Sequence, residues 1–153
     1  MSNPTRKVTV KQVEGLTFAG LGETSGHWTM MDARKSLGGH EGATTPMELL
    51  LMSLGGCTGM DVLSILAKMK QSVVDFRIEL EGEHAPEHPK VYTKIEMVYV
   101  VTGNVDVAKL ERAIELSEEK YCSISAMLRA GGVNIQTSYR IEPAGSIPES
   151  DQG

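Results

Sequence analysis

With 153 residues, 41% of them hydrophobic and 23% charged, the chain has the size of one globular domain. That is enough to bury most of its unfolded surface around one core without a metal or disulfide staple. Fifteen basic side chains against twenty acidic ones give a net charge of -5, the basic residues are scattered, and Phe, Trp and Tyr together make up only 5%, which excludes the concentrated cations and stacking platforms of a nucleic-acid partner. No secretory signal pattern opens the chain and no stretch reads as an unbroken apolar run of roughly 20 residues, so the expectation is a cytoplasmic protein with no membrane partner.

In chain order, Val8 to Val13 alternates in polarity and leads through Glu14 and Gly15 into Leu16 to Leu21. Gly22 to Gly26 then turns the chain into His27 to Met31, completing an expected meander of three short strands. Residues 32–45 form a polar, glycine-bearing loop that ends in Thr44-Thr45-Pro46, where a Thr cap precedes a Pro at the first helical position. From Pro46 to Lys70 the pattern is apolar almost all round, which predicts a buried central helix. Gly55, Gly56 and Gly59 each cost it about 1 kcal/mol of propensity relative to Ala, so a close approach by another element or subunit is expected there. Nine methionines, five of them between Met30 and Met60, suit an irregular core or an adaptable apolar surface.

Val73 to Glu83 and Val91 to Val101 read as two long strands of a hairpin. His84 and His88 with Glu83 and Glu87 fall in its loop, where two prolines favour a solvated turn over a metal cluster. Val107, Leu110, Ile114, Ser117 and Tyr121 recur at helical spacing and predict an amphipathic helix, Ser123 can cap a short further helix through Leu128, and Val133 to Ile141 is a last strand. The order βββ-α-ββ-α-α-β is α+β. Residues 1–142 read as one domain, and the polar stretch 143–153 as a frayed, flexible tail.

The chemistry-bearing residues are Cys57, inside the central helix, and Cys122, at the end of the second helix. Thiols so far apart in sequence do not form a paired-ligand zinc pattern, and no metal or cofactor is expected. In a reducing compartment an inert disulfide is disfavoured, leaving two open alternatives: buried free thiols or a redox pair. At about 100° per residue, Ser53, Asp61, Ser64 and Lys68 fall near the side of Cys57 while Glu48 points nearly opposite, so the thiol stands on the more polar face. Asp61 on that face disfavours a thiolate, so a reactive Cys57 would need a cation from elsewhere.

Thr45-Pro46-Met47-Glu48-Leu49-Leu50-Leu51, then Leu54-Gly55-Gly56-Cys57-Thr58 and Glu119-Lys120-Tyr121-Cys122-Ser123, resemble the OsmC/Ohr superfamily of thiol-dependent peroxidases and their relatives over nearly the whole chain. The resemblance implies an intertwined homodimer in which two six-stranded sheets, each built from both chains, surround packed central helices. It implies that Cys57 attacks an organic hydroperoxide, that Cys122 resolves the sulfenic acid to a disulfide, and that a dithiol reductant restores both. Active members carry a Glu directly after the helix-starting Pro and an Arg on the N-terminal strands. Here that first slot is Met47, Glu48 sits one residue on, and no Arg lies between Lys7 and Asp32, leaving Arg34 as the nearest replacement. These departures bring the chain closer to the YhfA-like branch. They also keep open a non-enzymatic stress or ligand-binding protein that uses an apolar dimer cleft for a small apolar ligand.

Overall fold

The computed structural model describes residues 3–145, so most of the expected tail, residues 146–153, lies outside the described residues. The chain divides after Leu50 into two compact units.

In the first unit, β1 (Val8–Glu14), β2 (Thr17–Gly22) and β3 (His27–Met31) form an antiparallel sheet in the order β1-β2-β3. The β1–β2 turn passes through Gly15 at φ +54°, a left-handed conformation that glycine adopts without steric cost. After β3 the buried Asp32 carboxylate organises the loop, accepting the backbone N–H groups of Ala33 at 2.8 Å, His40 at 3.2 Å and Gly42 at 3.0 Å. These bonds, that from Gly42 foremost, hold its carboxyl below the usual carboxylate range. Composition alone marked this segment only as polar and glycine-rich; one carboxylate gives it a fixed shape.

Helix α1 (Pro46–Lys68) starts where the sequence predicts. The Thr45 hydroxyl accepts the Glu48 N–H at 3.3 Å, and the Glu48 carboxylate accepts the Thr45 N–H at 2.9 Å, a reciprocal capping box. By length and composition alone α1 is apolar enough to cross a membrane, a property that core helices also have. This corrects the expectation that no stretch is apolar over roughly 20 residues, because α1 runs unbroken for 23 residues with few charges.

The second unit holds most of α1 and a sheet of β4 (Ser72–His84), β5 (Tyr92–Asn104) and β6 (Asn134–Glu142) in the order β4-β5-β6. β4 and β5 are the expected antiparallel hairpin, and β6 joins β5 in parallel. The parallel return requires a crossover, made by α2 (Val107–Leu116), a π-helical turn (Ser117–Tyr121) and α3 (Ser123–Ala130). β5 is central and supplies much of the core, with Ile95, Met97, Tyr99, Val100 and Val101 buried. Ile95, Met97, Tyr99 and Val101 share the face towards α1, while Val100 lies on the other face, between Arg77 and Arg140 in register, where ion pairs join Arg77 with Glu142 at 3.3 Å and Arg140 with Glu79 at 3.2 Å.

The α1 glycines divide by role. A Cβ on Gly55 would come within 2.8 Å of Leu80 Cδ1, and one on Gly59 within 3.2 Å of Ile78 Cδ1, so helix and sheet approach closely there. Nothing lies within 4 Å of a Cβ on Gly56. Gly56 shares its side of the helix with Met52, Met60 and Leu63, all exposed, Met60 at 75%. Within this chain α1 is therefore buried along one face, not all round, and an apolar stripe remains open to solvent.

Candidate functional site

Two segments remote in sequence meet beside the middle of α1. Cys57 and Asp61 are four residues apart and stack on one side of the helix. The crossover between β5 and β6 then brings in Cys122, and the two sulfurs and a carboxylate oxygen of Asp61 lie within 4.8 Å of one another. Cys57 and Asp61 are half-buried, while Cys122 is 2% exposed.

Cys122 owes its position to the π-helical turn. Its N–H donates to the Ser117 carbonyl at 2.7 Å, five residues back, which widens the end of α2 and swings the chain into α3. The residue is the N-cap of α3, with its sulfur accepting the Ser125 N–H at 3.4 Å. The sequence pointed to Ser123 for that cap; the cap falls one residue earlier because the wide turn leaves Cys122, not Ser123, in extended conformation. Burial, first of all, and the adjacent Cys57 thiol push the Cys122 thiol up to about 11, against the lowering effect of the Ser125 N–H.

A buried polar chain leads away from the pair. Ser117 Oγ donates to Asp61 Oδ2 at 3.1 Å and pairs with Thr58 Oγ1 at 2.9 Å, and Thr58 Oγ1 pairs with the Tyr99 hydroxyl at 2.5 Å. Thr58, Tyr99 and Ser117 are fully buried, and burial raises the Tyr99 hydroxyl's pKa. On the other side, Arg129 Nε donates to Ser125 Oγ at 3.3 Å and its guanidinium meets Glu118 at 3.6 Å. Sequence reasoning placed Thr58 in a motif and Ser117 on a helix face without giving either a role, and missed Ser125 and Arg129, since a side chain's partners from other segments leave no spacing signal; Ser117 on an otherwise apolar face was the one available clue.

The other sequence candidates belong to the first unit. Arg34 is exposed and, with Glu48, lines an open depression of about 390 Å³ that includes Glu41 and Thr45. The Glu48 carboxyl is held below its ordinary range chiefly by the Thr45 hydrogen bonds and further by Arg34. Glu48 is thus engaged in capping α1. Met47 is half-buried in the first turn of the same helix. At the β4–β5 hairpin, His84 stacks on Tyr92 at 4.5 Å between ring centroids and its Nδ1 lies 3.1 Å from the Lys90 carbonyl oxygen.

A family model described as OsmC-like protein matches residues 38–138, a span that contains both cysteines. The chain belongs to the OsmC-like family. It is 45% identical over 137 residues to Protein YhfA of Escherichia coli strain K12, covering 88% of this chain and 97% of that protein. Among solved structures, a hypothetical protein from Aquifex aeolicus VF5 superposes with a TM-score of 0.81 at 35% identity, over 92% of this chain and 98% of its own. An organic hydroperoxide resistance protein OsmC from Legionella pneumophila gives a TM-score of 0.68 at 18% identity, over 91% and 98%, a likeness of fold alone. The OsmC-like α+β architecture expected from the sequence is therefore present, with two three-stranded sheets in this chain.

Proposed function

We propose that this OsmC-like protein is a cytoplasmic, cysteine-based reductase of organic hydroperoxides in which Cys57 attacks and Cys122 resolves. The observation that carries this reading is the approach of the two sulfurs to within 4.8 Å from distant parts of the chain. That gap closes to a disulfide through side-chain rotation and local movement of the Cys122 turn. Membership in a family with solved hydroperoxide resistance relatives adds support.

The two thiols have unequal environments, and the roles follow from that. Cys57 is the more accessible and is the sulfur that meets the peroxide; attack requires its thiolate. Its electron pair takes the distal oxygen of ROOH and the O–O bond breaks, leaving a sulfenic acid, with the alkoxide protonated to ROH. Cys122 then attacks the sulfenic sulfur, losing its proton as hydroxide leaves, so that water and a disulfide form. A dithiol reductant returns both thiols and becomes a disulfide itself. Burial keeps Cys122 protonated at neutral pH, which protects it from direct oxidation until the sulfenic acid forms.

The working unit in this reading is a homodimer. The open stripe of Met52, Gly56, Met60 and Leu63 on α1 is an apolar surface suited to a second copy, and two three-stranded sheets per chain supply half of two six-stranded ones. The family's Glu and Arg have Glu48 and Arg34 as their candidates here, with Met47 in the usual Glu slot.

One observation favours a second reading, a non-enzymatic ligand-binding protein: the charged group that stands beside both sulfurs is a carboxylate, Asp61, whereas reactive cysteines sit in electropositive surroundings. Titrating free thiols after one equivalent of cumene hydroperoxide, with hydrogen peroxide as comparison, separates the two. Rapid loss of two thiols per chain, abolished in Cys57→Ser, is the expected result. Thiols unchanged over an hour would remove the enzymatic reading.

A further inference from the structure

We propose that Cys57, Asp61 and Cys122 also form a binding site for a thiophilic divalent cation of the Zn²⁺ class. Two sulfurs and one carboxylate oxygen already converge within 4.8 Å of one another. In a tetrahedral zinc centre, with Zn–S about 2.3 Å and Zn–O about 2.0–2.2 Å, donor atoms stand roughly 3.5–3.8 Å apart. Modest side-chain rotation therefore suffices to close the set around one ion.

The surroundings are those of a supported ligand set. Ser117 Oγ donates to Asp61 Oδ2 at 3.1 Å, which orients the carboxylate. The Ser125 N–H donates to the Cys122 sulfur at 3.4 Å, a bond that stabilises a thiolate. Hydrogen bonds of this kind to metal-ligating groups fix their orientation and raise affinity. None of the ion pairs among the described residues involves Asp61, so none of them supplies a counter-charge to this half-buried carboxylate beside two thiols. A cation supplies it.

Two thiolates select Zn²⁺, Cd²⁺ or Co²⁺ over Mg²⁺ and Ca²⁺, and the carboxylate favours a divalent ion over Cu(I). On binding, the two thiols release two protons, and two thiolates plus one carboxylate leave the centre with a single negative charge. Three protein ligands leave a fourth position for water, the pattern of an open rather than a closed zinc site. Sequence spacing hides the set because one ligand comes from the far side of the β4–β5 hairpin. The inference goes beyond hydroperoxide reduction and does not rest on it: cation and peroxide compete for the same sulfurs.

The test is an anaerobic titration of the reduced full-length protein with Co²⁺, followed by optical absorption and then by displacement with Zn²⁺. One Co²⁺ per chain is expected, with a sulfur-to-cobalt charge-transfer band and intense tetrahedral ligand-field bands that Zn²⁺ abolishes. Asp61→Asn is expected to weaken Co²⁺ binding at least about 10-fold while both thiols still react with a disulfide reagent, and Cys57→Ser to remove most charge-transfer intensity. Circular dichroism reports folding of both; if Asp61→Asn does not fold, Cys57→Ser carries the test alone. Absence of the band in the native protein, or native-strength binding in a folded variant, overturns the proposal. Hydroperoxide consumption is measured separately in excess chelator. Consumption with no cobalt band removes the cation site and leaves the reductase reading standing, and a cobalt band without consumption does the reverse.

Discussion

The sulfur of Cys122 accepts the backbone N–H of Ser125 at 3.4 Å, so the side chain that the functional reading uses to resolve a sulfenic acid also starts helix α3. Redox chemistry and local helix stability are thereby joined at one atom. Cys122→Ala removes cap and thiol together and is expected to lower stability by about 1 kcal/mol, whereas Cys122→Ser keeps a good N-cap and costs less. Both variants lose disulfide formation. Urea unfolding of the two under reducing conditions checks the order, and equal stabilities would show that the sulfur does no capping.

The same thiol makes stability depend on alkaline pH. Its pKa is raised from 9.0 to about 11 in the folded protein, so the folded state holds the proton more tightly than the unfolded chain. The resulting stability is fully present below pH 9 and is lost as pH rises towards 11. Thermal unfolding between pH 7 and 11, in reductant and chelator, is expected to show a steeper alkaline decline in the native protein than in Cys122→Ser. Parallel curves would contradict the burial account.

Tyr99, Thr58, Ser117 and Asp61 form one continuous polar chain through the core. Tyr99→Phe removes one end and leaves Thr58 paired with Ser117, a loss expected to be about 1 kcal/mol. Ser117→Ala cuts the chain in the middle, freeing the Asp61 carboxylate from its donor, and is expected to cost about 1–3 kcal/mol. Urea midpoints rank the two variants; Tyr99→Phe proving the more damaging would mean that Ser117 is not the junction.

The open stripe on α1 makes a prediction about assembly. Met60, at 75% exposure, is its most exposed large side chain. If the stripe meets a second copy, Met60→Glu places a desolvated charge at the junction and converts the dimer to monomer at micromolar concentration, read by sedimentation velocity. A native protein that sediments as a monomer, or a Met60→Glu protein that remains a dimer, contradicts that assembly.

Much of the fold was legible because the local signals agree. Thr45 and Pro46 announce the start of α1 by residue type alone, and the structure adds Glu48, which closes a capping box with Thr45. The β4–β5 hairpin follows from its β-branched and aromatic runs. The candidate site was less legible. That Cys57 and Cys122 meet depends on the parallel placement of β6 and on the π-helical turn, and neither leaves a periodic trace, since Ser117 and Tyr121 fit a regular helix as well as a widened one. Asp32 was unreadable for a related reason: three backbone N–H groups converge on it, and backbone donors have no sequence signature.

The most direct measurement is non-reducing peptide mapping by mass spectrometry after the reduced protein has met one equivalent of an organic hydroperoxide. The account predicts a Cys57–Cys122 disulfide within a single chain as the main oxidation product, and in Cys122→Ser a sulfenic acid trapped at Cys57. Both cysteines recovered as free thiols while the methionines oxidise, or disulfides only between chains, would contradict it.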